Sequence, residues 1–119
     1  MIKVMVAITK LPSISSEQFQ RYYEDHHVPL VNRLLPMYQV YKRHYLAADL
    51  RPGLAPPAFD VLTELGFASE ADFVEWQNTL RNPAVQAEIR QDEAHFLISA
   101  ETRMWVVTEC ASDFSQRPA

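Results

Sequence analysis

Hydrophobic residues recur along the chain with two spacings, one typical of strands and one typical of helices. The boundaries between these segments give the predicted strands and helices. Residues 2–9 are rich in branched apolar side chains at both odd and even positions, which is typical of a strand covered on two faces. Ser15 and Gln18 form a capping box, and apolar residues then recur at helical spacing. This stripe consists of Phe19, Tyr23, His26 and Leu30. The chain is therefore predicted to begin with a strand followed by a helix.

The first helix is expected to end at about His27. Val28 precedes Pro29, and helical geometry is unfavourable for the residue before a proline. The end of the helix would then leave two phenols and two imidazoles beside a turn, namely Tyr22, Tyr23, His26 and His27. Groups that exchange protons near neutral pH are common at such a site.

Two further strands are predicted at residues 37–46 and 59–67, where β-branched and aromatic residues are frequent. Residues 47–58 contain three prolines and a glycine, and are predicted to form a stiff loop. Residues 103–109 read as a fourth strand.

Two helices are predicted between the last two strands. Ser69 and Asp72 form a second capping box that opens a helix through Leu80. The pair Asn82-Pro83 opens another helix, whose apolar stripe contains Val85, Ile89 and Phe96.

The order β-α-β-β-α-β, with an extra helix in the second crossover, predicts an α+β fold of ferredoxin-like plan with a four-stranded antiparallel sheet. We expect one domain over residues 1–110 and a loose tail over residues 111–119. The face of the sheet without helices is expected to be apolar, and therefore to pair two subunits sheet to sheet. The residues assigned to this face are Met5, Met37, Tyr41, Tyr45, Trp105 and Val107.

Composition excludes several classes of function. The 119 residues carry a formal charge of −4 with scattered basic residues, which argues against nucleic acid or an anionic membrane as a partner. The single Cys110 and the lack of a signal-peptide pattern or a long apolar run favour a reducing cytoplasm. With Gly53 and Gly66 as the two glycines, the chain has no glycine-rich loop for a nucleotide, nicotinamide or flavin cofactor.

The histidine pair is the first candidate for chemistry. On an ideal helix His26 lies near the middle of the apolar stripe and His27 at its edge, so the helical wheel favours His26 as the inward ring. A purely structural role, as a core-edge imidazole or an exposed helix end, stays open. A metal site is not expected, because adjacent histidines point about 100° apart and no cysteines cluster.

Asp92 is the second candidate, since it lies within the apolar stripe of its helix. A buried carboxylate needs a donor, a helix terminus or a raised pKa, and a salt bridge to Arg21, Arg33 or Arg90 is an alternative to catalysis. If Asp92 meets a histidine, the pair forms a general base that later returns its proton.

Other residues are candidates for holding the substrate. Tyr22, Tyr23 and His44 are expected to bind a substrate oxygen. The alternatives are a packing role for the tyrosines and a solvent-exposed position for His44. His26 is a further candidate for binding the substrate, and Phe96 and Trp105 are predicted to contact it with their aromatic rings.

Four segments together resemble the EthD family of the dimeric α/β-barrel superfamily. They are Ile2-Lys3-Val4-Met5-Val6, the run Phe19-x-x-Tyr22-Tyr23-x-x-x-His27-x-Pro29-Leu30, Asp92-x-x-x-Phe96, and Val106-Val107-Thr108-Glu109. The resemblance implies a ferredoxin-like fold, a homodimer through the sheets, and an apolar pocket that needs no cofactor. By position it assigns the family's histidine to His27 and its acid to Asp92. It places Tyr23 where many relatives carry a tryptophan, a difference that bears on pocket depth.

Relatives in this superfamily include polyketide cyclases, isomerases and cofactor-free oxygenases. The leading hypothesis is therefore a cofactor-independent lyase, cyclase, dehydratase or isomerase, in which His27 and Asp92 move a proton on a small apolar, oxygenated or aromatic compound. One alternative is cofactor-free oxygenation of a quinol or anthrone. The other is a non-catalytic, small-molecule-binding accessory protein of a degradation pathway.

Overall fold

A computed structural model describes residues 1–47, 53 and 55–116. Its strands are β1 (Ile2–Ile8), β2 (Val40–Tyr45), β3 (Val61–Phe67) and β4 (Arg103–Val107). Its α-helices are α1 (Ser16–Tyr22), α2 (Val28–Leu34), α3 (Glu70–Arg81) and α4 (Pro83–Glu93). A π-helical turn, Tyr23–His27, joins α1 to α2, and a 3-10 turn, Ser99–Glu101, precedes β4.

The four strands form one antiparallel sheet in the order β2-β3-β1-β4. This order, with the two crossovers made by helices, confirms the predicted ferredoxin-like α+β fold. The predicted loop at 47–58 lies partly outside the described residues. In the described part of the chain, no helix has the length and apolar character needed to cross a membrane.

Side-chain caps fix where the helices begin. Ser15 accepts a hydrogen bond from the Gln18 amide, and the Gln18 side chain accepts one from the Ser15 amide, so the predicted capping box is present. Asn82 accepts hydrogen bonds from the amides of Ala84 and Val85 at the start of α4.

The predicted end of the first helix at His27 is wrong. The chain stays helical through Leu34, because the Val28 amide donates to the Tyr23 carbonyl five residues earlier and so absorbs one extra residue. Pro29 lies in the first turn of α2, directly after the π-helical turn, and has no amide hydrogen to donate to it.

One face of the sheet is covered by the helices and contains most of the core. Its strand residues Val4, Val6, Val61 and Leu65 are at most 6% exposed. Phe19, Tyr23, Phe96 and Trp76 pack against them from the helical side. We call this the covered face and the opposite one the open face.

The assignment of aromatic residues to the open face is wrong for Met37, Tyr41 and Tyr45. Tyr41 pairs with Leu65 and Tyr45 with Val61, and cross-strand partners point to the same side of a sheet. Both tyrosines therefore lie on the covered face, and Met37 also packs against the core. Met5, Trp105 and Val107 do lie on the open face, where Trp105 is 50% exposed.

Candidate functional site

The π-helical turn determines which histidine faces the interior. His27 is 7% exposed, whereas His26 is exposed. The inward side chains are spaced by four residues, a wider spacing than the 3.6 residues of an α-helical turn, and the π turn accommodates the difference. These inward residues are Phe19, Tyr23, His27, Val31 and Leu35. The ideal wheel fails here because it assumes an uninterrupted α-helix.

His27 and Asp92 form a close pair across 65 positions of the sequence. Nδ1 of His27 lies 2.6 Å from Oδ2 of Asp92, in the last turn of α4. An ionised carboxylate only accepts hydrogen bonds, so Nδ1 carries the proton. The negative end of the α4 dipole also favours a positive ring beside it.

Tyr22 holds the second oxygen of the same carboxylate. Its hydroxyl donates to Oδ1 of Asp92 at 2.8 Å. Burial and this hydrogen bond raise the pKa of Tyr22 to about 12. Partial burial also raises the pKa of Asp92, but the hydrogen bonds from His27 and Tyr22 outweigh it, and the pKa lies below its ordinary value. Asp92 is therefore an anion with both oxygens occupied.

Nε2 of His27 points away from Asp92, on the opposite side of the ring. Among the described residues, Asp92 is the one hydrogen-bond partner of this imidazole. The ring lines a cavity of about 110 Å³ between the covered face and the helices. In the neutral ring with its proton on Nδ1, Nε2 carries the lone pair, and no described residue hydrogen-bonds to it.

The cavity wall is mainly apolar, with contributions from Val6, Val31, Leu65, Ile89 and Met104. Met104 is 49% exposed, so the cavity reaches the surface beside β4. The polar residues that line the cavity are Tyr23, His27, Tyr38, Tyr41, Thr63, Glu93 and Thr102. An apolar wall with a few convergent polar groups is the usual construction of a small-molecule site.

Three hydroxyl groups form a chain on the sheet side of the cavity. The Tyr41 hydroxyl donates to that of Tyr23 at 3.3 Å, and Tyr23 shares a 2.7 Å hydrogen bond with Thr63. Three hydroxyl protons and two mutual hydrogen bonds leave one proton for another acceptor. Burial raises the pKa of Tyr23 and of Tyr41, so both phenols are neutral.

An ion pair fixes the π-helical turn against β2. Arg43 makes two hydrogen bonds to the carboxylate of Glu24, and Tyr45 donates to the same carboxylate at 2.6 Å. The hydrogen bonds from Arg43 lower the pKa of Glu24, although burial opposes them. Bidentate pairing of this kind restrains orientation as well as distance.

Glu93 and Thr102 line the cavity but were not among the sequence candidates. Burial and the adjacent charge of Asp92 raise the pKa of Glu93, against the opposing effects of His27, Ser99 and Arg90. The hydroxyl of Thr102 is buried without a hydrogen-bond partner in the described part of the chain. For Glu93 a signal existed, since it follows Ile89 by four positions along the apolar stripe.

Five predicted substrate contacts lie away from the cavity lining, namely Tyr22, His26, His44, Phe96 and Trp105. His26 is exposed and packs on the Tyr22 ring, because the π turn rotates it outward. His44 lies on the open face, 3.4 Å from Glu64, and Trp105 shares that face. Phe96 is completely buried and packs on the His27 ring from another side.

The two tyrosine candidates have different positions. Tyr23 lines the cavity, whereas Tyr22 contacts Asp92 behind it. Among the described residues, no group of three or more histidine, cysteine, aspartate or glutamate side chains is arranged to hold a metal ion.

Comparison with solved structures finds the same fold in several proteins. An EthD-family protein from Bacillus halodurans C-125 is 17% identical with a TM-score of 0.62, covering 92% of this chain and all of its own. A protein from Arabidopsis thaliana is 13% identical with a TM-score of 0.64, over 95% of this chain and 99% of its own. A dimeric ferredoxin-like protein from Bacteroides fragilis, of unknown function, is 8% identical with a TM-score of 0.55, over 89% and 93%.

Comparison with curated proteins gives no match. The model of the EthD domain matches residues 11–99, a span that contains the π-helical turn, the cavity helices and Asp92. This span is most of the 119-residue chain. The chain therefore belongs to the EthD domain family.

Proposed function

We propose that this protein is a cofactor-independent acid–base enzyme of the lyase, cyclase or isomerase type. In this proposal His27, oriented by Asp92, moves a proton on a small apolar oxygenated compound. The observation that carries the proposal is the 2.6 Å contact between Nδ1 of His27 and Asp92, which leaves Nε2 without a described partner on a ring that lines an apolar cavity. A base held in one tautomer beside a mainly apolar binding space is suited to proton abstraction.

The reaction begins when Nε2 takes a proton from a carbon next to a carbonyl group. The imidazolium that forms is stabilised by the Asp92 carboxylate, which Tyr22 keeps in position from the other side. His27 then returns the proton to the same carbon, to another carbon or to a leaving oxygen. These three outcomes correspond to exchange, isomerisation and elimination.

The cavity limits the size of the substrate. A closed cavity of about 150 Å³ in another protein holds benzene. The cavity here is smaller, about 110 Å³, but it opens to the surface beside Met104, so a single ring would be only partly enclosed. The unused hydroxyl proton of the Tyr41, Tyr23 and Thr63 chain is a donor for one substrate oxygen. We therefore propose a compound with a single ring or a short chain that carries a carbonyl group.

The same proposal includes a homodimer formed through the open face. Met5, Leu62 and Trp105 present apolar surface there, and the Bacteroides fragilis relative is described as dimeric. An exposed apolar sheet face of this kind is a typical association surface.

The test uses 3-cyclohexen-1-one as a probe, in buffer with a metal chelator and no added cofactor. Moving one proton from the carbon next to the carbonyl to the distal alkene carbon gives the conjugated enone, which absorbs in the ultraviolet. We expect the protein to accelerate this conversion. His27→Gln should abolish the acceleration, and Asp92→Asn should reduce it by about 100-fold or more.

His26→Gln is the matched control, because it removes the neighbouring imidazole that lies outside the cavity. It should retain the rate of the unmodified protein. Full activity in His27→Gln would place the base elsewhere. Binding of the probe, detected by ligand NMR, without any conversion would instead support the accessory binding role.

A further inference from the structure

We infer that Glu93 is a second catalytic residue, which donates a proton to the substrate oxygen while His27 removes one from carbon. This inference rests on the proposed function and deepens it, because it assigns the acid half of the reaction. It also restricts the class of substrate. The carbonyl oxygen of the substrate must contact the Glu93 carboxyl while the carbon that loses a proton contacts Nε2 of His27.

Glu93 and Asp92 are consecutive residues with different surroundings. Asp92 contacts Nδ1 of His27 and the Tyr22 hydroxyl, so both of its oxygens are occupied. Glu93 lines the cavity itself, and among the described residues its side chain accepts one long hydrogen bond, from Ser99 at 3.5 Å. Asp92 therefore positions the base, whereas Glu93 is free to contact a ligand.

The groups around Glu93 favour a carboxyl that carries a proton more readily than usual. Burial and the charge of Asp92 raise its pKa, while His27, Ser99 and Arg90 act in the opposite direction. Glu93 is also the last residue of α4, where the helix dipole disfavours a negative charge.

Other hydroxyl groups of the cavity are weaker acids than this carboxyl. Burial raises the pKa of Tyr23, Tyr38 and Tyr41 above the ordinary value of a phenol. A carboxyl group with a raised pKa is therefore the stronger proton donor near neutral pH. The phenols are suited to hydrogen bonding, and Glu93 to proton transfer.

Thr102 gives independent evidence that this side of the cavity binds an oxygen atom. Its hydroxyl is buried without a hydrogen-bond partner in the described part of the chain, so it is available to an oxygen atom in the cavity that it lines. Thr102 and Glu93 both contact the 3-10 turn, the first through its amide to the Ser99 carbonyl and the second through the Ser99 hydroxyl.

The step balances without any other reactant. Nε2 of His27 takes the proton from carbon, and the electrons of that C–H bond form a carbon–carbon double bond. The carbonyl π electrons take the proton of Glu93, which gives a neutral enol, an imidazolium and a carboxylate. The imidazolium then protonates the distal carbon, and the carboxylate recovers the enol proton.

The experiment measures conversion of 3-cyclohexen-1-one against pH by the unmodified protein, Glu93→Gln, Glu93→Asp and Glu88→Gln. Glu88 is the matched control, because it lies on the same helix but pairs with Arg33 outside the cavity. We expect Glu93→Gln to lower kcat about 100-fold with probe binding unchanged. Glu93→Asp, which keeps an acid, should be intermediate, and Glu88→Gln should match the unmodified protein.

The pH profile separates a catalytic from a structural role. With both groups present the rate should be bell-shaped, and in Glu93→Gln it should become a single rising limb. A Glu93→Gln variant with an unchanged rate and a bell-shaped profile would overturn this inference and leave the role of His27 intact. If Glu93→Gln does not fold, a folded Glu93→Ala variant with the full rate and a bell-shaped profile overturns it equally, because alanine has no proton to donate. An unmodified protein without activity on the probe would overturn both proposals.

Discussion

The covered and open faces of the sheet are built from the same alternating strands but have different surroundings. On the covered face, Val6, Thr63 and Leu65 are buried under helices and line the cavity. On the open face, Trp105 is half-exposed, and Lys3 pairs with Glu64. Side chains alternate between the two faces along each strand. An odd or even position therefore decides whether a residue contributes to the site within the chain or to a surface available for association.

The largest effect on stability is expected from Phe96→Ala, on the covered side. Phe96 is completely buried and packs against His27, Phe19 and Tyr22, so the change should lower the free energy of unfolding by about 3–5 kcal/mol. Urea unfolding measures this loss. Val74→Ala, at an exposed position of α3, is the control and should change stability by less than about 0.5 kcal/mol. A similar small change in Phe96→Ala would contradict the described core.

A smaller effect, on assembly, is expected from Trp105→Asp on the open face. A charge within an apolar interface should weaken the proposed homodimer by about 2 kcal/mol or more, which is about 30-fold in Kd. Analytical ultracentrifugation measures the change. Val106→Asp is the matched control. Val106 is 65% exposed and lies on the same strand, but its side chain points to the opposite side of the sheet. Equal weakening by both variants would show that the dimer does not form through the open face.

The smallest effect is expected in the pH dependence of stability. Because the folded pKa of Asp92 lies below its ordinary value, Asp92 stabilises the fold above pH 4, and this contribution is lost as the pH falls through the folded pKa. Asp92→Asn should remove that part of the acid dependence, on the order of 1 kcal/mol. Urea unfolding between pH 3 and pH 7 measures it, with the exposed Asp25→Asn as control. An unchanged slope in Asp92→Asn would show that the pair does not stabilise the fold.

Local signals in the sequence were sufficient for the element order and the family. The capping residues Ser15, Ser69 and Asn82 lie where the helices begin, since each cap depends on a few neighbouring residues. The structure brings together His27 and Asp92, the two residues that the resemblance assigns by position, and their catalytic role stays a prediction.

The sequence pattern fails where one local change alters the direction of many side chains. The π turn adds one residue to a helical turn, so the inward ring is His27, as the family resemblance implies, and not His26, as the ideal helical wheel favours. In β2, the aromatic residues Tyr41 and Tyr45 resemble an exposed face from their sequence, but the register places them under the helices. Glu93 is not among the predicted site residues, because the neighbouring Asp92 already supplies a candidate acid in the same helical turn.

The tautomer of His27 in the free protein tests the central claim most directly, and it requires no substrate. Long-range ¹⁵N–¹H NMR of the imidazole ring distinguishes a proton on Nδ1 from a proton on Nε2. We expect the neutral ring of His27 to carry its proton on Nδ1, and Asp92→Asn to shift the proton toward Nε2. A proton on Nε2 in the unmodified protein would rule out the proposed base, because Nε2 would then have no lone pair to accept a proton.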